Sequence, residues 1–538
     1  MINRRGFLRG TSTIAAASAI AFPRISRAAD KTVSGKPGQK PRRIIHMVSD
    51  GMSAGTLTCA DHLSQIVRGR GTSWIKLYNN PAARFGLMST RSLNSLVTDS
   101  SAASSTWGSG VRIINGVVNQ AGDGTPLKHI YEILGDARWH RGLVTTAEIT
   151  HATPAGFASS VSSRDKATEI AKQYLKGKVD LLLGGGAKYF DKAYRLDKRD
   201  LFQEFRDAGY AVMDKPSELA VAPTNKRWLG LFSRSHLPFT VDHVRDPKLL
   251  SNVPTLATMT AAALRRMEGE SRFILQVEGA RVDHGAHNND AAAALFDQIA
   301  FDEAIDVCLE FQKRDPETLI VITTDHCTGG LALNGSGDAY GQSTWQFRNL
   351  RDVKQSFPVM LKPLKRQPAV DEPEFEKDEA AEKKKEDAKS AAQKEREKIE
   401  KKIKEENVAT PTEIIQIVEA GTGYKMPYRK AELFRQCLMN AGESIYDARK
   451  SDTAALGDVM ANHLAVGFTS TAHTGDHVQV IAIGPGAERF GGFIQNTDIF
   501  GHYMDLAGVD FRNPQEPLIE ARGREAGDVE DIGRYAQA

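Results

Sequence analysis

Six short runs of apolar and β-branched residues recur along the chain, and each stops abruptly at a polar or glycine-rich stretch. "IIHMV" runs into Ser49-Asp50, "GLVTT" into Ala147-Glu148, and "VDLLL" into Gly184-Gly185-Gly186. "RFILQV" precedes Glu278, "TLIVITT" precedes Asp325-His326, and "HVQVIAI" precedes Gly484. A strand that is apolar throughout must be covered on both faces, and helical stretches between such strands supply the cover. The pattern therefore predicts an α/β fold: a large, mostly parallel central sheet flanked by helices on both faces. "DAAAALFDQIAFDEAIDVCLEFQK" reads as one of those helices, with Leu295, Ile299, Ile305 and Leu309 near helical spacing. Ligands of such sheets sit beyond the carboxyl ends of the strands. The polar residues that end the runs are thus expected to line one crevice.

Length alone suggests roughly two to four domains, although large α/β enzymes often form one. A net charge of +3 over 538 residues gives no broad basic field, so nucleic acid is not an expected partner. The four cysteines, Cys59, Cys308, Cys327 and Cys437, are too few for a disulfide scaffold and show no CxxC spacing. Residues 1–29 read as a leader: Arg4-Arg5 in "RRGFL", an apolar stretch of small residues, then "SRA" ending at Ala28. The run resembles a twin-arginine export signal, which makes the export machinery a partner of the precursor and the periplasm or exterior its destination. No other segment is apolar for a membrane's thickness, so no membrane span is expected in the mature chain.

One segment departs from the α/β pattern. Residues 371–407, "DEPEFEKDEAAEKKKEDAKSAAQKEREKIEKKIKEEN", are nearly all Glu, Lys, Asp and Ala. Opposite charges recur at helical neighbour distances without an apolar heptad, which predicts a solvated helical insertion rather than a coiled coil. It would divide a catalytic domain into 41–370 and 408–510, with a tail over 511–538.

The chemistry-bearing residues cluster at the predicted strand ends. Asp50 follows the first run; Glu278, Asp283 and His287 lie in "QVEGARVDHGAHNND"; Asp325-His326 follow the fifth run; His473 lies in "TAHTGDH". Carboxylates with imidazoles suit zinc, and oxygen-only sets suit magnesium. A different signal is "VTDSSAASSTWGSG", 97–110, a run of small residues behind Asp99. Small residues bury little apolar area but allow close approach of backbone.

At this point a resemblance becomes specific. "VSDGMS", "VTDSSAAS", "THATPAGF", "VEGARVDHGAH", "TTDHCTGG" and "AHTGDH" stand in the order of the motifs of the alkaline phosphatases. The chain is similar to that family over about 41–365 and 460–505. The resemblance implies two zinc ions and one magnesium ion. Asp283, His287 and His473 would hold the first zinc, and Asp50, Asp325 and His326 the second. Asp50 would bridge to a magnesium held also by Thr153 and Glu278. Ser100 would be the nucleophile and Arg164, in "VSSRD", the residue that grips phosphate. His151, Asp99 and His284 are expected beside the metals rather than on them, and Ser101 as a helix-capping hydroxyl. The implied activity is hydrolysis of phosphate monoesters by two in-line displacements through a phosphoserine, and a homodimer is compatible with it. A phosphodiesterase of the same superfamily stays open, because both metals serve either reaction. The sulfatase motif C/S-x-P-x-R is absent from "DSSAAS". A non-catalytic metal- or phosphate-binding protein is the alternative of another class, and the complete nucleophile and ligand set argues against it.

Overall fold

The apolar runs form the middle of a ten-stranded sheet. In the computed structural model, which describes residues 40–335, 340–365, 407–440, 442 and 444–515, the strands in chain order are β1 (Arg43–Val48), β2 (Arg84–Ser89), β3 (His140–Glu148), β4 (Leu181–Gly185), β5 (Tyr210–Met213), β6 (Arg227–Leu231), β7 (Phe273–Glu278), β8 (Thr318–Thr323), β9 (Cys327–Thr328), β10 (Ala332–Leu333), β11 (Val466–Gly467), β12 (His473–Thr474), β13 (Val478–Ile483) and β14 (Gly492–Gln495). The large sheet has the order β14-β2-β13-β8-β1-β7-β3-β4-β6-β5, and β9–β12 and β10–β11 form two small pairs. Every residue of β4, β7 and β8 is buried, as unbroken apolar runs require. The leader at 1–29 and the charged stretch at 371–406 lie outside the described residues, as does the tail beyond 515.

One strand contradicts the sequence reading. β13 pairs antiparallel with both β8 and β2, whereas all the other neighbours in the large sheet are parallel. Its carboxyl end at Gly484 therefore lies at the far edge, where a Cβ on Gly484 would overlap the carbonyl of Thr318, the first residue of β8. What β13 presents at the crevice is its amino end and the segment before it, which holds His473. An apolar run specifies a buried strand but not its direction.

Alternation along β1 assigns the two faces. Ile44 and Val48 join a core with Trp107, Phe157 and Tyr503, and Ile45 and Met47 join a second core with Met259, Phe301 and Ile305. The second is covered by the predicted long helix, observed over Ala291–Arg314. A third core, with Leu350, Met360, Ile414, Phe434 and Met460, holds together the helices Tyr340–Arg348, Phe357–Leu364, Pro411–Thr422, Tyr428–Met439 and Asp452–Leu464. Asp290 ties this helical lobe to the sheet domain. One carboxylate oxygen accepts the Ala293 N–H at the start of the long helix, and the other accepts the Phe357 N–H at 2.6 Å. Two helix N-termini thus share one cap. Among the described residues no helix is long and apolar enough to cross a membrane, and Cys59, Cys308, Cys327 and Cys437 are free thiols.

The run of small residues forms the helix Ser100–Ser109, all ten of whose residues are buried. It packs against the helix Ala152–Ala158 with backbone in contact. A Cβ on Gly108 would overlap the Gly156 carbonyl oxygen, and one on Gly156 would stand 2.5 Å from Ser104 Oγ. Ser104 Oγ donates to the Thr153 carbonyl at 2.6 Å, which also accepts from Gln276 Nε2 at 3.2 Å. This one carbonyl joins two helices and β7.

Two outcomes follow. Gly108→Ala should lower stability by about 1–3 kcal/mol through overpacking, read as a shift of the urea midpoint; an unchanged midpoint would show that the helices can separate freely. Lys365 and Val408 form an isolated antiparallel bridge, and Ala409 N–H donates to the Leu364 carbonyl at 2.9 Å. The two ends of the intervening segment are therefore fixed side by side. Replacing 367–406 by a short Gly/Ser linker should leave the unfolding midpoint close to that of the full chain, because loop closure varies only slowly with loop length.

Candidate active site

Three strands end at the same place. Asp50 lies two residues beyond β1, Glu278 is the last residue of β7, and Asp325-His326 follow β8. β7 and β8 flank β1 in register, with Val48 opposite both Glu278 and Thr323. The short helix Arg281–His287, just after β7, places Asp283 and His287 one turn apart. His473 arrives on β12, directly opposite Thr328 of β9.

These side chains fall into three groups: Asp283, His287 and His473; Asp50, Asp325 and His326; and Asp50, His151 and Glu278. Within each, the potential ligand atoms lie within 4.8 Å of one another. The His326 ring stacks on His473 with centroids 3.6 Å apart, so the first two groups adjoin, and Asp50 joins the second to the third. Thr153 Oγ1 stands 3.5 Å from Asp50 Oδ2.

The chemistry of the donors fits bound cations. Asp50, Glu278, Asp283 and Asp325 are each at most 3% exposed, and four carboxylates so close cannot all remain ionised without compensation. Asp50 Oδ1, Glu278 Oε1 and Asp325 Oδ2 are buried with no hydrogen-bond partner. His287 Nδ1 faces the Thr471 carbonyl at 2.5 Å, and His473 Nδ1 faces the Thr98 carbonyl at 2.8 Å. Carbonyls only accept, so each Nδ1 keeps its proton, and the two Nε2 lone pairs face each other at 3.0 Å. An ion between them removes that repulsion, and such carbonyl-anchored imidazoles are the usual support of metal ligands. Burial, then Asp325, Asp283 and Glu278, push Asp50 well above the usual carboxylate range. Burial opposes ionisation of Asp283 too, but positive charge at His287, where no ion is bound, holds it well below that range.

Ser100 begins its helix beside the second group, with Oγ 3.1 Å from His326 Nε2. Asp99 is the N-cap: Oδ1 accepts the Ala102 N–H at 2.8 Å. The capping role expected of Ser101 is thus filled by Asp99. Ser101 instead donates to Asp99 Oδ2 at 2.6 Å, because a carboxylate one residue before the helix reaches its free N–H groups better than a hydroxyl inside the first turn. The same Oδ2 receives Gly116 N–H and Arg164 Nη1, at 2.9 and 3.2 Å. Burial works against the Asp99 charge, yet Arg164 and these donors hold its carboxyl below the usual range.

Arg164 Nη2 lies 3.2 Å from His151 Nε2. Arginine only donates, so His151 accepts there and its proton sits on Nδ1. While that bond stands, the ring offers no lone pair to a cation. His284 is placed alike, its Nδ1 2.7 Å from Arg281 Nη1. His236, which the sequence reading did not single out, completes a cluster: its ring centroid is 5.6 Å from His151 and 4.5 Å from His284. Its Nδ1 accepts the Glu148 N–H at 3.2 Å. No spacing in the sequence links a histidine in a loop after β6 to residues following β3 and β7. Thr145, whose Oγ1 donates to Glu278 Oε2 at 2.6 Å, was missed for the same reason. Glu148, although at a strand end, is engaged by Lys188 and Ser235, at 3.0 and 2.7 Å. Cys327 is buried, and burial pushes its thiol up to about 12, leaving it inert.

Burial raises Glu278 from 4.5 to about 7, the Thr145 and Thr153 hydroxyls opposing. In metal-free protein the folded state then keeps this proton while the unfolded chain ionises, so stability falls as pH rises from about 4.5 to about 7 and levels off above. The unfolding free energy of wild type relative to Glu278→Gln, both stripped of metal, should decline over that interval by a few kcal/mol. A pH-independent difference would show that Glu278 is ionised in the fold.

Comparisons with known proteins agree with this geometry. The alkaline phosphatase family model matches residues 41–509, which includes the helical lobe. Alkaline phosphatase 4 of Bacillus subtilis is 30% identical over 466 residues, covering 85% of this chain and 87% of that protein. Alkaline phosphatase 3 of the same organism is 31% identical over 75% of each chain. The crystal structure of Thermus thermophilus alkaline phosphatase superposes with a TM-score of 0.76 at 29% identity, covering 93% of this chain and 98% of that one. Ordered motifs, a matching fold and a convergence of buried metal-ligand chemistry at one sheet edge place the chain in the alkaline phosphatase family of metal-dependent phosphatases.

Proposed function

We propose that this phosphatase hydrolyses phosphate monoesters through a phosphoserine on Ser100, with two zinc ions in the Asp283-His287-His473 and Asp50-Asp325-His326 groups and one magnesium ion at Asp50, Thr153 and Glu278. The observation that carries the reading is the position of Ser100 Oγ, at the first residue of a buried helix and 3.1 Å from His326 Nε2, amid the donor groups. Bound cations would stabilise negative charge on the attacking and leaving oxygens.

The chain's own residues do the rest. Ser100 Oγ attacks phosphorus and the ester oxygen leaves; water then attacks the phosphoserine in line, releasing phosphate and restoring the hydroxyl. The positive end of the Ser100–Ser109 helix favours the phosphoryl charge. Arg164 offers a fork to two phosphoryl oxygens, and Asp99 holds it in place at 3.2 Å. A dianionic monoester meets that fork better than a monoanionic diester, which favours the monoesterase over the diesterase. His151 and His284 act as positioning groups, each already bound to an arginine. The twin-arginine-like start supports export from the cytoplasm.

Ser100→Ala should retain bound metal but form no phosphoenzyme from labelled substrate. Ser101→Ala should keep phosphoenzyme formation and lose about 1 kcal/mol of stability with its bond to Asp99. Label on Ser101 would overturn the nucleophile assignment. Arg164→Ala should slow a monoester on the order of 10²-fold and a diester much less, and equal losses would remove the case for monoester preference. Chelation should abolish turnover, and elemental analysis of active enzyme should return two zincs and one magnesium.

A further inference from the structure

Thr328 is fully buried and its single hydroxyl stands between the first two donor groups. Oγ1 lies 2.6 Å from Asp283 Oδ1 and 3.2 Å from His326 Nδ1. A hydroxyl has one proton to give, and the carboxylate can only accept, so that proton goes to Asp283. The hydroxyl must then accept from His326, which fixes the imidazole proton on Nδ1 and leaves the Nε2 lone pair toward Asp325 Oδ2, Asp50 Oδ1 and Ser100 Oγ, at 3.1, 3.5 and 3.1 Å. The same bond occupies Asp283 Oδ1 and leaves Oδ2 toward His287 Nε2, at 3.2 Å. The position is held by backbone on both sides: Thr328 N–H donates to the Gly51 carbonyl at 3.0 Å, and β9 pairs Thr328 with His473. Gly51 itself has φ +71 and leaves no room for a Cβ, which would come 2.6 Å from Asp283 Oδ1.

We infer that Thr328 is a positioning residue that couples the two groups: its hydroxyl relays one hydrogen-bond direction, His326 to Thr328 to Asp283, and so sets the ligand faces of both. The coupling rests on the metal assignment above, while the hydrogen-bond direction does not. Loss of a single hydroxyl should therefore weaken binding in both groups at once. A residue serving only local packing would tolerate valine, which has the same shape.

Zinc alone is the probe, titrated into chelator-stripped protein against a chromophoric competitor. Thr328→Val should weaken both zinc equivalents by ~10- to 100-fold, the range expected when a ligand's outer support is removed. Thr328→Ser, which keeps the hydroxyl, should bind as wild type does. Both zincs held as tightly by the valine variant, or only one weakened, would overturn the coupling. Independently of any variant's folding, ¹⁵N spectra of metal-free, histidine-labelled wild type above neutral pH should show His326 protonated on Nδ1, its signals assigned by their loss in His326→Gln. A bare Nδ1 would overturn the relay. Wild type that takes up no zinc, with His326 protonated on Nδ1, would instead sink the metal assignment and the coupling with it while leaving the hydrogen-bond direction intact.

Discussion

Four buried carboxylates crowded at one sheet edge are the interaction on which the rest of this structure depends. Left alone they repel one another, and burial strengthens the repulsion. Their surroundings are arranged to limit that cost. Thr145 donates to Glu278, Thr328 to Asp283, and Gly51 and His326 N–H groups to Asp325. What remains uncompensated, the unpaired oxygens of Asp50, Glu278 and Asp325, is what divalent ions would satisfy. The parallel strands β8, β1 and β7 make the crowding possible, because adjacent strands of equal direction end side by side.

The same crowding explains the small-residue helix. A helix that must bring a hydroxyl to such a site cannot stand off from the sheet by the width of large side chains. Ser104, Gly108 and Gly156 bring two helices into backbone contact, and the Thr153 carbonyl, shared by Ser104 and Gln276, carries that contact to β7. Asp99 then serves twice, as the cap of the helix and as the anchor of Arg164. Ser100 and Arg164, the proposed nucleophile and phosphate-binding cation, are thereby positioned by one carboxylate.

How much of this was legible in the sequence depended on the kind of signal. The six central strands announced themselves as apolar runs, but β2, β5, β6 and β14 did not. β2 and β14 are half exposed, with Leu87 and Phe493 turned to solvent, and β5 has only four residues. The direction of β13 was not legible, since direction is decided by which neighbours the strand joins. Metal-ligand candidates were legible because carboxylates and imidazoles follow several of the apolar runs, whose ends one sheet brings together. Thr145, Thr328 and His236 were not, because a hydroxyl or a loop imidazole acquires meaning only from the atom it faces. The cap before Ser100 was misassigned between Asp99 and Ser101, a choice that local geometry alone decides. Much of the helical lobe fell in the 408–510 part of the expected catalytic domain, yet its attachment through Asp290, one acid capping two helices, leaves no trace in spacing.

The reversed direction of β13 has a consequence for assembly of the protein. Because this strand enters the sheet from the crevice side, the histidine before it reaches the first donor group only when one of the last strands in the chain has taken its place between β2 and β8. Asp50 comes from near the amino end, so the centre spans almost the whole polypeptide, and contacts this distant in sequence form late. A chain interrupted before β12 lacks His473, and so cannot complete the first donor group.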